Sequence, residues 1–159
     1  MIYYLSNSMF SKLRLGNNQG FTLIELLLVI TIIIILASIV LIAINPARNI
    51  AQANNAQRYS DVNTIINAIH QYTIDNDGIL PSAITSVDTE ICQTDASSCS
   101  GLIDLSAVTF EERYVLELPT DPTSASTNGT GYYVQKDAYD RITISAPFAQ
   151  LSATIEVSR

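Results

Sequence analysis

Hydrophobic residues are concentrated in one long run near the start of the chain. Between Phe21 and Ile44, 20 of 24 residues are hydrophobic, and the 19 residues from Leu26 to Ile44 carry no charge. As a helix these 19 residues would extend about 29 Å, which matches the hydrocarbon thickness of a bilayer. A lone strand in lipid would leave its backbone groups without hydrogen bonds. The run therefore predicts a membrane-spanning helix, and a buried core helix is the less favoured interpretation.

A second pattern follows the apolar run, because hydrophobic residues recur there at helical spacing. Pro46 is expected to kink the helix, and no Gly or Pro interrupts residues 47–72. One helical face carries the hydrophobic residues Val62, Ile65, Ile66, Ile69 and Tyr72. We predict one long helix from about Thr22 to Asp75. Its first half, 21–45, is apolar all round, and its second half, 46–78, is amphipathic.

The end of the chain alternates between hydrophobic and polar residues, as β-strands do. Short β-rich runs occupy residues 132–135, 141–145 and 154–157, with a hairpin turn at 136–140. Residues 79–131 are rich in Ser, Thr, Asp and Pro, which predicts a loop region with a short helix from its cap Ser106 to Glu112. We predict an antiparallel meander of three or four strands in 132–159, packed on the amphipathic half of the helix. This is an α+β fold.

Charge and residue types exclude several functions. The net charge of −7 and a pI near 4.4 argue against direct nucleic-acid binding, which needs clustered Lys and Arg. Known catalytic and phosphate-binding motifs are missing from the sequence, so we expect neither an enzyme nor a cofactor. His70 is the only histidine, and no second His or Cys stands at ligand spacing. We therefore expect His70 to be a solvated surface residue and expect no metal site.

Glu25 is the one charged residue within the apolar run. A carboxylate in an apolar helix costs a few kcal/mol on insertion, although the first helical turn offsets part of that cost. One interpretation is a shallow acid at the membrane interface. The other is that Glu25 awaits a positive partner inside an apolar assembly. A cut after Gly20 would supply one, because it would leave a free amino group on Phe21.

The residues around Glu25 resemble the processing site of type IV prepilins and pseudopilins. The match covers Gln19-Gly20-Phe21-Thr22-Leu23-Ile24-Glu25-Leu26-Leu27, behind a short basic leader with Lys12 and Arg14. The resemblance implies that a membrane peptidase on the cytoplasmic face cuts after Gly20, removes the leader 1–20 and N-methylates Phe21. It also implies that Glu25 pairs with the Phe21 amine of a neighbouring subunit. Met9 is a hypothetical alternative start to Met1, because it gives a leader of more typical length.

The same resemblance implies a pilin-like fold and a structural subunit of a type IV pilus or related filament. Its partners would be the prepilin peptidase, membrane lipid before assembly, the assembly machinery, and copies of itself in the filament. Its place would be the bacterial cytoplasmic membrane, with the body outside, and then an extracellular pilus or periplasmic pseudopilus. A type II secretion-like pseudopilin or minor pilin is an alternative. An alternative of another class is a single-pass membrane-anchored extracytoplasmic binding domain.

Three further features belong to the loop region. Cys92 and Cys99 are expected to form a disulfide if this side of the chain is exported, with free thiols and metal binding as alternatives. The stretch 121–131 predicts a flexible loop, in which Asp121 is a candidate calcium ligand without the full calcium-loop spacing. Asn128-Gly129-Thr130 matches the N-glycosylation triplet.

Overall fold

Two helices begin the part of the chain that the structure, a computed structural model, describes, which is residues 20–159. Helix α1 is Leu23–Ile44 and helix α2 is Pro46–Asp75. The prediction of one kinked helix is therefore wrong at Asn45, which adopts the left-handed conformation with φ of 47°. The Oδ1 of Asn45 accepts a hydrogen bond from Arg48 N at 3.3 Å. Pro46 is the first residue of α2, a position that needs no N–H donor, so it starts a helix here.

The chain divides into two units at Ala43. In the first unit the structure describes the residues from Gly20 onward, which are almost entirely α1. The second unit, Ile44–Arg159, we call the body. The leader 1–20 and the choice of start between Met1 and Met9 lie outside the described residues, except for Gly20.

A four-stranded antiparallel sheet forms one layer of the body. Its strands are β1 Thr89–Cys92, β2 Gly129–Lys136, β3 Ile142–Ser145 and β4 Glu156–Ser158, in the spatial order β1-β2-β3-β4. The predicted α+β, pilin-like arrangement of a long apolar helix, a second helix and a small antiparallel sheet is confirmed. Strand β1 lies in the region predicted to be loop, because four residues are too few to show a clear alternation.

The core of the body lies between α2 and the sheet. The predicted stripe packs there, and Val62, Ile65, Ile66 and Ile69 are fully buried. The facing side chains include Tyr132 and Val134 of β2 and Ile142 and Ile144 of β3, at the two-residue spacing that the pleat of a sheet requires, and Ile155 joins them from the residue before β4. Helix α2 contacts β3 and β4 directly. The face of α2 with the 3.6-residue period and the face of the sheet with the two-residue period thus form one hydrophobic layer.

The connection between β1 and β2 contains a helix shorter than predicted. Helix α3 is Ser106–Thr109, and a 3₁₀ turn, Phe110–Glu112, follows it. Ser106 does not cap α3, since Leu105 occupies the cap position and the Ser106 N–H donates to Asp104 Oδ1 at 2.8 Å. Glu111 and Glu112 both have positive φ, so the α-helix cannot continue through them.

Candidate functional site

The first turn of α1 joins Thr22 to Glu25. Thr22 precedes the helix, and its Oγ1 accepts a hydrogen bond from Glu25 N at 3.2 Å. The spacing Thr-x-x-Glu is that of a capping box, in which the acid also lies near the positive end of the helix dipole. The capping role of Thr22 was not predicted, although this spacing is visible in the sequence. The cap fixes where α1 begins, and therefore fixes the position of Glu25 in its first turn.

Gly20 and Phe21 lie directly before this cap and are open to solvent. Phe21 is 83% exposed. A Cβ built on Gly20 would meet no atom within 4 Å among the described residues. Gly20, Phe21 and Glu25 thus lie together at the start of α1, and the described residues leave Gly20 and Phe21 exposed.

Helix α1 presents an apolar surface along its whole length. Within the described part of the chain, none of its 22 residues is buried. Its two central hydroxyl groups are satisfied inside the helix, because Thr31 donates to the Leu27 carbonyl at 2.7 Å and Ser38 to the Ile34 carbonyl at 2.8 Å. Among the described helices, α1 alone is long and apolar enough to cross a membrane, judged by length and composition.

A buried ion pair joins α2 to the loop before β2, and sequence analysis did not predict it. Arg58 Nε donates to Asp121 Oδ2 at 2.6 Å and Nη2 donates to Oδ1 at 2.9 Å, with both side chains fully buried. The hydrogen bond to Asp121 raises the pKa of Arg58. Burial alone would raise the pKa of Asp121, but hydrogen bonds from Arg58 and Thr123 hold it below its usual range. Both groups are therefore charged at neutral pH.

A second buried contact, between Asp61 and Tyr132, lies one helical turn further along α2. The Tyr132 hydroxyl donates to Asp61 Oδ2 at 2.6 Å, and Gln57 Nε2 donates to Oδ1 at 3.0 Å. Burial and the hydrogen bond to Asp61 raise the pKa of Tyr132. Arg58 and Asp61 precede Val62 and Ile65 by four residues and therefore lie on the same face of α2. Charged residues on the buried face were the signal in the sequence that could have indicated these contacts. These groups hold α2 against the sheet.

Cys92 and Cys99 form a disulfide, as expected for an exported body. The bond closes the loop that follows β1. A side chain of this loop forms hydrogen bonds with the stretch 121–131. Gln93 Nε2 donates to the carbonyls of Ser126 and Gly129 at 2.8 and 2.9 Å. The stretch 121–131 is thus tied to the body by hydrogen bonds, and its last three residues belong to β2 and not to a loop.

The calcium interpretation fails at Asp121, because Arg58 occupies both oxygens of its carboxylate. Across residues 20–159, His, Cys, Asp and Glu side chains form no group of three that could hold a metal ion.

Two further predictions from the sequence concern single side chains. His70 is half-buried, and its Nε2 is buried with no hydrogen-bond partner in the described chain, so the prediction of a solvated residue is wrong. In the glycosylation triplet, Thr130 is fully buried and donates to the Ile91 carbonyl at 3.0 Å. Asn128 is half-buried and accepts from the Ser97 hydroxyl at 3.0 Å. The hydroxyl of the triplet is therefore inaccessible once the body has folded.

Comparison with known protein families gives a match that covers this site. The family model of the prokaryotic N-terminal methylation motif matches residues 15–41, which include Gly20, Phe21, Glu25 and most of α1. No curated protein and no solved structure matches the chain. The match therefore bears on the start of the chain and not on the body.

Proposed function

We propose that this chain, whose prepilin-type N-terminal segment is the hallmark of type IV pilins and pseudopilins, is a structural subunit of a type IV pilus or related filament. The observation that carries the proposal is an apolar helix with no buried residue, placed directly behind the methylation motif. Pilin-type subunits are structural proteins, so the role requires no catalytic group in the body.

Processing is the first step of the proposed function. A prepilin peptidase cuts the Gly20–Phe21 bond on the cytoplasmic side and methylates the amine of Phe21. The exposure of Phe21 and the open space around Gly20 support this step, since the described residues do not shield the bond. The mature chain stays in the cytoplasmic membrane through α1, with the body on the outer side.

Assembly is the second step, in which α1 leaves lipid and packs against α1 helices of other copies. The Glu25 carboxylate then pairs with the Phe21 amine of a neighbour. Among apolar helices such a pair is poorly screened, and an unpaired carboxylate there is costly. Only registers that bring the two groups together are therefore favourable, and Glu25 sets the axial position of each added subunit.

Mass spectrometry of the mature N-terminus tests the processing step. The expected result is a chain that begins with N-methylated Phe21. Gly20→Val should block the cut, and because a side chain at Gly20 meets no described atom, that block would reflect the peptidase and not misfolding. An uncleaved wild-type chain, or a cut after Ile44, would contradict the proposal.

Glu25→Val tests the assembly step against the alternative of a membrane-anchored binding domain. The variant should enter the membrane and be processed, but filaments recovered by shearing should be strongly reduced. Thr31→Val is the matched control, because it also removes a polar group from α1 but no charge, and it should assemble normally. Normal filament assembly of Glu25→Val would contradict the role given to Glu25. A wild-type chain that enters the membrane but yields no filaments, with Glu25→Val inserting equally well, would favour the anchored domain. Immunogold images of sheared filaments would then separate a surface pilus from a periplasmic pseudopilus.

A further inference from the structure

One end of the body carries exposed apolar side chains that its own core does not use. A shallow hollow there is lined by Asn45, Ala47 and Arg48 at the start of α2, and by Leu151 and Ser152 from the β3–β4 connection. We call these five residues the foot. Leu151 is 53% exposed, and the nearby Ile50 of α2 is 61% exposed. An aliphatic side chain exposed beside a cation can contact an apolar surface outside the body.

The foot is held in place by hydrogen bonds, so its exposure is part of the fold. The Asn55 side chain binds both backbone groups of Gln150, since Nδ2 donates to the carbonyl at 2.7 Å and Oδ1 accepts from the N–H at 2.9 Å. Asn54 Nδ2 donates to Gln150 Oε1 at 3.1 Å. Leu151 and Ser152 follow with φ of 58° and 56°, an unusual conformation for side-chain-bearing residues. The connection thus presents Leu151 outward on a fixed base.

The charge around the foot differs from the charge of the remaining body. Every acid of the chain except Glu25 lies in the body, but none lies within residues 45–60 or 142–155. Two cations lie in those stretches, and one of them, Arg58, is paired internally with Asp121. Arg48 forms no ion pair within residues 20–159. The foot is therefore an acid-free, cationic end of an otherwise acidic body.

Chain connectivity places the foot beside the membrane boundary. Arg48 is four residues after Ile44, the last residue of α1, and consecutive Cα atoms are about 3.8 Å apart. Arg48 therefore lies within about 15 Å of the end of the apolar helix in any arrangement of the two units. The headgroup layer outside the hydrocarbon core has a thickness of several ångströms on each side. When α1 spans the bilayer, Arg48 therefore stays within about 15 Å of the end of the span, close to this layer.

We propose that the foot docks the body on the bilayer, with Arg48 on the phosphate of an anionic phospholipid and Leu151 inserted at the headgroup boundary. Cationic and aliphatic groups together are what bind an anionic membrane surface, while the acids elsewhere on the body are repelled by it. The inference rests on the proposed function only in requiring that α1 spans a membrane. Docking holds each free subunit in one orientation before assembly.

The test uses the full chain in vesicles and takes advantage of a sequence without tryptophan. Three single-tryptophan variants report on three places: Ile34→Trp in α1, Leu151→Trp in the foot and Leu116→Trp as an exposed control. Leu116 is two residues from Tyr114, which bonds Asp75 at the other end of α2, about 40 Å of helix away from Arg48. Vesicles contain phosphatidylglycerol and phosphatidylcholine with brominated acyl chains, which quench tryptophan at the membrane.

Quenching of Ile34→Trp and Leu151→Trp, but not of Leu116→Trp, is the expected result. If Ile34→Trp is quenched and Leu151→Trp is not, the foot proposal is overturned while membrane insertion stands. If Ile34→Trp is not quenched, membrane insertion and the foot proposal both fail. Quenching of Leu151→Trp could instead decrease as the protein-to-lipid ratio rises, by an amount that does not depend on lipid charge. That result would assign the foot to contacts between copies and would also overturn the proposal.

The role of Arg48 is tested by adding Arg48→Gln to Leu151→Trp. One cation near an anionic surface contributes about 1 kcal/mol, so the ratio of docked to undocked body should fall about fivefold in anionic vesicles. In phosphatidylcholine alone the substitution should change little. Arg113→Gln is the matched control, because Arg113 is exposed near Asp75 at the other end of α2. Equal effects of the two substitutions, or no dependence on lipid charge, would contradict the proposed contact.

Discussion

Helix α1 and the body place their hydrophobic residues in opposite environments. In α1, the Leu, Ile and Val side chains are between 42% and 83% exposed, and none is buried. In the body, Val62, Ile65, Ile66 and Ile69 are fully buried against the sheet. The two regions have similar aliphatic residue types, so residue type does not explain the difference. The difference lies in pattern, since α1 is apolar on every side and α2 on one.

The comparison also applies to charge. Glu25 in α1 has no cationic partner in the described residues, whereas Asp121 in the body is bound by Arg58 on both carboxylate oxygens. The buried charges of the body are paired within it, whereas α1 carries apolar and charged groups that need an external environment. Substitutions in the core of the body should therefore change folding, and substitutions in α1 should change membrane and subunit contacts.

Arg58→Gln should give the largest loss of stability in the body. It leaves the Asp121 carboxylate buried without its partner, which costs about 3–5 kcal/mol in unfolding free energy. Urea denaturation of the full chain in detergent micelles measures this by near-ultraviolet circular dichroism, because α1 contains no tyrosine and the described tyrosines all lie in the body. Lys136→Gln is the control, since its pair with Asp140 is exposed and should contribute about 0.5 kcal/mol. Similar losses for both variants would contradict the structural role of the buried pair.

Substitution of matched isoleucines tests the contrast in burial directly. Ile66→Ala should lower the unfolding free energy of the body by about 2–5 kcal/mol, because it removes fully buried methyl groups and leaves a cavity. Ile33→Ala in α1 should leave the same transition unchanged, since Ile33 is 57% exposed. Both variants are followed by the tyrosine signal in micelles. A shift of the body transition by Ile33→Ala would show that α1 contributes to the folding of the body.

Loss of the disulfide should have a smaller effect. Cys99→Ser opens a loop whose ends are seven residues apart, and the chain-entropy relation gives about 2–3 kcal/mol for so short a loop. The expected change is a lower urea midpoint, and reduction of the wild-type chain with dithiothreitol should reproduce it. A wild-type chain that is insensitive to the reductant would indicate that the bond does not constrain the unfolded body.

Near neutral pH, the titration of Asp121 should have the smallest effect on the unfolding free energy of the body. Its folded pKa is below the unfolded value of about 3.9, so its contribution is present above about pH 4 and is lost as pH falls through the folded pKa. Unfolding free energy should thus be insensitive to this group between about pH 7 and pH 5, and should decrease below about pH 4. Urea titrations across this range check it. In Arg58→Gln this acid-induced loss should be diminished, and an unchanged loss would assign it to other carboxylates.

Local patterns predicted a large part of the molecule. The apolar run, the stripe on α2 and the alternating strands near the end each follow from neighbouring residues, and each is present in the structure. The predicted hairpin turn also holds, since Asp137 Oδ1 accepts from the N–H groups of Tyr139 and Arg141. Strand β1 was missed because its four residues depend on pairing with β2, which is about 40 residues away.

The residues of the candidate site also differ in whether local sequence predicts them. Gly20, Phe21 and Glu25 are recognisable in sequence because their spacing within six residues is the signal. The pair of Arg58 and Asp121 spans 63 residues, and the contact of Asp61 with Tyr132 spans 71. No local pattern connects residues so far apart, although a charged residue in line with a buried stripe indicates that a partner exists.

The sequence by itself determined the helix that can span a membrane, the N-terminal methylation motif and the amphipathic face of α2, because each depends on periodicity or spacing over a few turns. The tertiary structure decided which charges are buried in pairs, that the 121–131 stretch is hydrogen-bonded to the loop after β1, that the helix is broken at Asn45, and that an acid-free foot forms at the start of α2. These features depend on residues distant in sequence or on one backbone conformation. Only the folded chain brings such residues within hydrogen-bonding distance. Burial strengthens these contacts, because the interior has a low dielectric constant.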